Sequence, residues 1–342
     1  MSGASRRLRT WRLQLVLVAF SLAGCSGLPV LDGGGAAGDR IAGHWRLHLW
    51  IALVVLIGVV VFLLDAMRRR ATGAAGVLRP DAASERRLTV GVSVAVGLTA
   101  VALLVLLVAS VATGRSLGIL GAETPAVTIE ITGRQWWWDV TYWDPVPAHQ
   151  MRTANEIHIP VGQTVLVKLA SPDVIHSFWV PALNGKQDLI PSRKNTIAIK
   201  ADRAGTFAGQ CAEYCGLQHA HMRLLIVAEP PEAFQAWLQA QRQPATPPAS
   251  ALAQRGHDVF VGGSCVLCHA IVGTEAAART GPDLTHLASR AMLAAGTLPN
   301  TPGHLAGWIV DPQSVKPGTR MPANSLGADD LQALLAYLGG LR

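Results

Sequence analysis

The sequence predicts a multidomain membrane chain: two transmembrane α-helices, then an all-β domain, then an all-α domain. Three observations predict it. Two uncharged runs are long enough to cross a bilayer, residues 125–229 break into short alternating segments, and the pattern beyond residue 250 turns helical. Composition agrees. Half of the 342 residues are hydrophobic, only 15% are charged against a usual ~25%, and mean hydropathy is +0.31, which argues against a purely soluble chain and against a disordered one. The net charge of +7 needs no nucleic acid to explain it. Arg6, Arg7, Arg68, Arg69, Arg70, Arg79, Arg86 and Arg87 flank apolar segments, where basic residues set membrane topology.

Taken in order, residues 1–24 read as an export signal. Arg6, Arg7, Arg9 and Arg12 form the basic start, Leu13 to Leu22 the apolar core, and Ala23-Gly24 the small-residue exit. Leu22-Ala23-Gly24-Cys25 resembles a bacterial lipoprotein box, in which the cysteine is lipidated; an ordinary signal with an incidental cysteine is the alternative. An exported segment, 25–45, precedes the first span, 46–67, whose uncharged core runs from Leu47 to Leu64. The second span is the uncharged run Leu88 to Gly114. A bilayer core of about 30 Å needs roughly 20 apolar residues in a helix, so both qualify. The intervening loop, 68–87, with Asp65 at its edge, is rich in arginine and should stay cytoplasmic, so both termini face outward. The export signal demands the same topology.

Val127, Ile129 and Ile131 alternate, as do Val165, Val167 and Leu169, while Leu224-Leu225-Ile226-Val227 reads as a short buried-type run. Turn signals at Pro160-Val161-Gly162 and Ala204-Gly205 separate the segments, and many short strands suggest a sandwich or barrel over 125–235. Pro231 to Gln241 reads as a short helix. A linker, 236–250, ends in the proline-rich run Gln243 to Ser250. In the last domain, 251–342, Leu331, Leu334, Leu335 and Leu338 follow helical spacing behind Asp329 and Asp330.

The chemistry concentrates on cysteine. An exported chain normally spends its cysteines on disulfides, yet each of the five here has another use: Cys25 a lipid, Cys211 and Cys215 a metal, Cys265 and Cys268 a haem. Cys265-Val266-Leu267-Cys268-His269 is C-x-x-C-H, whose thiols add to haem vinyl groups while the adjacent imidazole ligates iron. A redox pair or half a zinc site is the alternative, but this domain holds no further cysteine. For the second axial ligand, Met321 in Gly318-Thr319-Arg320-Met321-Pro322 is the expectation, with Met292, His286 and His304 as rivals. His/Met ligation would raise the haem potential. The stretch resembles a class I cytochrome c, by Cys265-x-x-Cys268-His269, Gly281-Pro282-Asp283-Leu284, Trp308, Met321-Pro322 and a C-terminal helix. That resemblance implies that the Pro282 region supports His269 and that Trp308 lines the haem pocket.

Cys211-Ala212-Glu213-Tyr214-Cys215-Gly216-Leu217-Gln218-His219-Ala220-His221-Met222 crowds thiolate, imidazole and thioether donors that together favour copper over hard ions. The spacing C-x-E-x-C-x-x-x-H-x-x-M, with His176 upstream, resembles the binuclear copper (CuA) centre of cytochrome c oxidase subunit II. Residues 40–240 resemble that family, including its aromatic segment, Gly133-Arg134-Gln135-Trp136-Trp137-Trp138, and its first ligand loop, His176-Ser177-Phe178-Trp179-Val180-Pro181. The resemblance implies a cupredoxin domain with two coppers bridged by Cys211 and Cys215 and capped by His176 and His219. Met222 and the Glu213 carbonyl are then weaker ligands. The Glu213 carboxylate would reach magnesium or manganese at the subunit I interface. Spacing alone leaves His221 open as a rival of His219. The resemblance assigns electron entry to the position of Trp136; packing is the alternative reading, as it is for Trp137 and Trp138. Glu85 sits where the family has a carboxylate near a proton path, although Leu88 and Val92 replace the usual neighbours.

The implied function is subunit II of a bacterial haem-copper oxidase with a fused cytochrome c. Electrons would enter at its own haem c, pass through the copper pair and reach subunit I, where dioxygen is reduced with proton pumping. Implied partners are subunit I, subunit III, and cytochrome c or a quinol-cytochrome c reductase as donor, at the bacterial inner membrane with both redox domains outside. The copper subunit of a related nitric oxide reductase is the alternative function. A membrane-anchored copper carrier would leave the C-x-x-C-H motif and the tryptophans unexplained.

Overall fold

The computed structural model describes residues 30–71 and 82–342. The export signal, Cys25 and Arg79 lie outside the described residues. Two long helices come first among the described residues, α1 (Ala36–Ala71) and α2 (Ala82–Gly121). They carry the apolar runs that make them long and apolar enough to cross a membrane. At about 1.5 Å per residue their 36 and 40 residues span roughly 54 and 60 Å. That exceeds the hydrocarbon thickness, so both helices extend beyond their uncharged runs. The outer end of α1 is gripped by the β domain. Ala37 and Ala42 are buried, Gly34 N–H donates to the Ala182 carbonyl (2.7 Å), and a Cβ on Gly38 would lie 2.1 Å from that same oxygen. At the other end Asp65 pairs with Arg69 one turn on.

The middle of the chain is a cupredoxin-like β domain. Its larger sheet has the order β3-β2-β1-β5-β8, built from β1 (Val127–Arg134), β2 (Trp137–Tyr142), β3 (Met151–Ala154), β5 (Val165–Ala170) and β8 (Asn195–Ile199). The β1–β5 pairing is parallel and the others antiparallel. The smaller sheet has the order β4-β10-β9, from β4 (Glu156–Pro160), β9 (Gly205–Gln210) and β10 (Arg223–Glu229). A hairpin of β6 (His176–Phe178) and β7 (Gln187–Leu189) completes the domain. Ile129, Ile131, Val165, Val167 and Leu169 point inward by strict alternation and meet Ile157, Ile159, Leu224 and Ile226 from the other sheet. The run Leu224 to Val227 is not fully buried as its composition suggests. Leu224 and Ile226 are buried, Leu225 and Val227 only half so, because β10 has one face on the core and one facing out.

Helix α3 (Pro231–Gln241) caps the barrel end with buried Phe234 and Leu238, and Trp237 stacks on the His158 ring at 4.1 Å. The last domain holds α4 (Ala251–Gly262), a short pair β11 (Met292–Leu293) and β12 (Leu298–Pro299), α5 (Pro302–Val310), α6 (Pro312–Val315) and α7 (Ala328–Leu338). Its core packs Phe260, Leu305, Ile309, Leu334, Tyr337 and Leu338. Helices α4 and α7 cross where Gly256 has no side chain: a Cβ there would lie 1.9 Å from the Ala333 carbonyl. The intervening linker is packed down: Ala245 N–H donates to Val272 O, and the buried His286 ring takes up Gln243 O and Arg342 O.

Candidate functional site

One end of the β domain gathers sulfur and imidazole. Strand β6 supplies buried His176 at its first residue, and the loop between β9 and β10 supplies the rest. Cys211 Sγ lies 3.8 Å from Cys215 Sγ, 3.9 Å from His176 Nδ1 and 3.2 Å from the Glu213 carbonyl oxygen. Cys215 Sγ lies 3.6 Å from His219 Nδ1 and 3.9 Å from Met222 Sδ. Both thiols are free and buried. His176, Cys211 and Cys215 form a cluster able to hold a metal ion. Thus the loop brings together His176, Cys211, Cys215, His219, Met222 and the Glu213 carbonyl. The His221 ring instead pairs with Gln218 Oε1 at 3.0 Å. The Glu213 carboxylate accepts from Tyr214 N–H at 3.1 Å.

The electrostatics suit a metal that displaces protons. The Cys215 thiol and the Ser177 amide help hold Cys211 down at about 4 against its burial, whereas the Cys211 sulfur and burial push Cys215 well above the usual thiol range. The dithiol therefore keeps one proton between its two sulfurs. Burial pulls the His176 pKa down, but hydrogen bonding to Cys211 and Asp173 outweighs it and raises the ring.

Several groups around the cluster escape a motif search. Asp173 Oδ1 takes the outer nitrogen of His176, Nε2, at 2.9 Å, which turns Nδ1 toward the sulfurs. Asp173 also accepts Gln135 N–H and Val174 N–H, and its carboxyl sits below its ordinary range despite the opposing effect of burial. Gln135 Nε2 and Trp136 Nε1 both donate to the Cys215 carbonyl at 2.9 Å. Gly133 leaves room for His176, since a Cβ there would lie 2.9 Å from its ring. Only an Asp three residues before a His hinted at any of this in the sequence.

The helical domain faces this loop with a large cleft. Cys265, Cys268, His269, Trp308, Met292 and Met321 all line it. His269 Nδ1–H donates to Pro282 O at 2.7 Å, leaving Nε2 free for the cleft, and Gly281 is required because a Cβ would lie 2.8 Å from that ring. Burial lowers the His269 pKa, so the imidazole is held neutral, the form that ligates metals. Arg290 lines the cleft with its Nε buried and unpartnered among the described residues, a donor left for an anionic group such as a haem carboxylate. His286 spends both ring nitrogens on backbone carbonyls, and the His304 ring pairs through Nδ1 with the hydroxyl of Thr301, the N-cap of α5; neither lines the cleft. The donors therefore fit a covalently attached haem, as the sulfur and imidazole loop fits copper.

The cleft is shared. Trp136, only 9% exposed, lines it from the β-domain side, and Trp137 lies beside it under the Arg134 guanidinium. Trp138 is wholly buried against Phe178 and His176.

Comparison with known proteins decides the family. Residues 144–229 match the family model for the periplasmic domain of cytochrome c oxidase subunit II, and residues 253–342 match that for cytochrome c. The chain is 33% identical over 345 residues to cytochrome c oxidase subunit 2 of Alkalihalophilus pseudofirmus, covering 96% of each. The chain belongs to the cytochrome c oxidase subunit 2 family. It is also 28% identical over 357 residues to the subunit 2 of Bacillus subtilis, covering 98% of this chain and 99% of that one. Among solved structures it resembles the periplasmic domain of subunit II of cytochrome oxidase of Bradyrhizobium japonicum, with 32% identity, 35% of this chain and 96% of that one covered, and a TM-score of 0.33. This subunit 2 carries a fused cytochrome c domain at its C-terminal end and serves electron transfer in an oxidase complex. The two domains imply copper and haem, and the family implies docking on a catalytic subunit I.

Proposed function

We propose that this subunit 2 receives single electrons at a haem c held by Cys265, Cys268, His269 and Met321 and delivers them through a two-copper CuA centre to subunit I. The observation that carries the reading is the shared cleft: Trp136 forms its wall and donates directly to the backbone of Cys215. When bound, the haem and the copper pair supply one-electron carriers; the chain supplies rigid positions for both. Cys211, Cys215, His176 and His219 would hold the copper pair, with Met222 and the Glu213 carbonyl as weaker donors. Asp173 and the Gln135 amide fix the His176 side of the cluster. Burial in the β domain excludes water, which limits reorganisation on each electron passage. The Glu213 carboxylate, at the edge of the cluster, is assigned to magnesium or manganese at the subunit I interface.

Burial of Trp136 beneath the helical domain supports a relay role between the chain's own two centres rather than entry from a soluble donor. External donors, cytochrome c or a quinol-cytochrome c reductase, then act at the haem. Dioxygen reduction and proton pumping belong to subunit I, with subunit III as a further partner. The arginines at 68, 69, 86 and 87 favour a cytoplasmic loop between α1 and α2, placing both redox domains outside the bacterial inner membrane. The test is gas consumption by the purified complex fed with reduced cytochrome c. Oxygen uptake, with two coppers and one haem c iron per subunit 2, is expected. Nitric oxide consumption without oxygen uptake would assign the chain to a nitric oxide reductase instead.

A further inference from the structure

Lys316, which follows α6 in the helical domain, is 2% exposed, and no carboxylate pairs with it among the described residues. Its Nζ donates to three carbonyl oxygens: Trp136 O at 2.8 Å, His221 O at 2.8 Å and Ala294 O at 3.2 Å. Three acceptors match the three protons of an ammonium. Taking a lone charge out of water is unfavourable, and burial pulls the Lys316 pKa down to about 7, so a buried lysine without an acid is a costly feature. Two of the acceptors belong to the β domain and one to the helical domain. They are not arbitrary carbonyls. Trp136 donates its indole N–H to Cys215 O, and His221 directly precedes Met222. Ala294 sits in the left-handed region (φ 51°), and its neighbour Ala295 accepts Arg223 N–H from β10.

Smaller contacts ring this point. Gln218 Nε2 donates to Pro317 O at 2.7 Å, and Gly318 packs so close that a Cβ would lie 3.1 Å from Leu217. Farther out, Glu156 Oε2 accepts Ala291 N–H and Arg152 donates to Arg279 O.

We propose that Lys316 is a positioning residue that clamps the haem-binding domain to the backbone of Trp136 and His221, so that the docked interface, rather than the tether, sets the rate of electron passage between the two centres. The inference rests on the proposed function for its rate and on geometry alone for the clamp. In the purified complex, Lys316→Met keeps the stem and removes the donors. The haem absorbance and copper paramagnetic signals should persist, reduction of the haem by an external donor should be unchanged, and the following haem-to-copper step should slow at least tenfold. Amide exchange should quicken together at 216–222 and 292–297. Gln218→Ala, which loses the Pro317 contact together with the Oε1 partner of the His221 ring, should show the same pattern at two- to threefold. An unchanged second step, or a slowed step with unchanged amide exchange, overturns the clamp. Wild-type protein lacking both metal signals would overturn the proposed function instead, and the amide-exchange comparison, which needs neither cofactor, would still decide the clamp.

Discussion

At Gly133 a single methyl group decides whether His176 keeps its place. The added Cβ would sit 2.9 and 3.0 Å from two ring carbons of His176 and 3.2 Å from its Cβ, and the ring is held from behind by Asp173 and cannot retreat. Gly133→Ala is therefore expected to weaken copper retention against a chelator by about tenfold or more, as loss of an outer-shell partner does elsewhere, while far-ultraviolet circular dichroism stays unchanged. Cys215→Ser removes one of the two sulfurs proposed to hold the copper pair, and the mixed-valence copper signal should vanish from the paramagnetic resonance spectrum. The dithiol proton gives a further prediction with a definite sign. Cys215 is pushed above the ordinary thiol range by the Cys211 sulfur, so it is protonated near neutrality and must lose that proton to bind metal. Copper affinity should fall at least tenfold for each pH unit of acidification, and more steeply once His176, whose pKa is raised against burial by Cys211 and Asp173, also takes up a proton, read from competition titrations at several pH values. In the cleft, replacing Met321 by Ala should lower the haem potential, because the thioether ligand proposed there would raise it; Met292, which also lines the cleft, is the control.

At the scale of elements, α3 shows how much of the β domain's stability comes from its lid. Phe234 is fully buried, with its ring 6.1 Å from Trp237 and 6.4 Å from Tyr142, whose hydroxyl donates to His158 O. Phe234→Ala should cost about 3–5 kcal/mol, measured by chemical denaturation of the metal-free chain in detergent. Elements like this were readable in advance because their signals are local. Proline starts α3, and two acidic residues open α7. The twelve-residue loop from Cys211 to Met222 announced itself because its donors are contiguous. What the sequence hid is what arises from distant pairing. Asp173 meets Gln135 across 38 positions, and Gln135 meets Cys215 across 80. Nothing in a linear spacing separates His219 from His221; the turn at Gly216 (φ +110°) carries His219 to the sulfur, while Gln218 holds the ring of His221. Burial along β10 was misjudged because a run of four apolar residues looks the same whether one face or both are covered. Lys316 carries no signal at all until packing strips its water.

At the scale of the whole molecule the question is what holds the two redox domains at a fixed separation. A proline-rich linker of this length suggests a semi-rigid tether, which would act by effective concentration, roughly millimolar for short linkers. The structure instead packs the linker's start down, with Ala245 bonded to Val272 and Gln243 to His286, and builds an interface whose contacts span β4, β10 and the Cys211–Met222 loop. A tether and a dock respond differently to lengthening. If effective concentration governed, inserting flexible residues after Pro247 would slow haem-to-copper transfer by at least the −3/2 power of linker length. If docking governs, the interface stays saturated and the rate holds until effective concentration falls below the interface's own dissociation constant. Inserting thirty glycine and serine residues, which would slow transfer about fivefold if the tether governed, should therefore leave the rate of the native complex within twofold, read by rapid mixing with a reduced donor. The same insertion in a Lys316→Met background should slow it beyond the effect of either change alone, because a weakened dock depends on its tether. An additive pair of effects would mean that tether and interface act independently and that the clamp carries no share of docking.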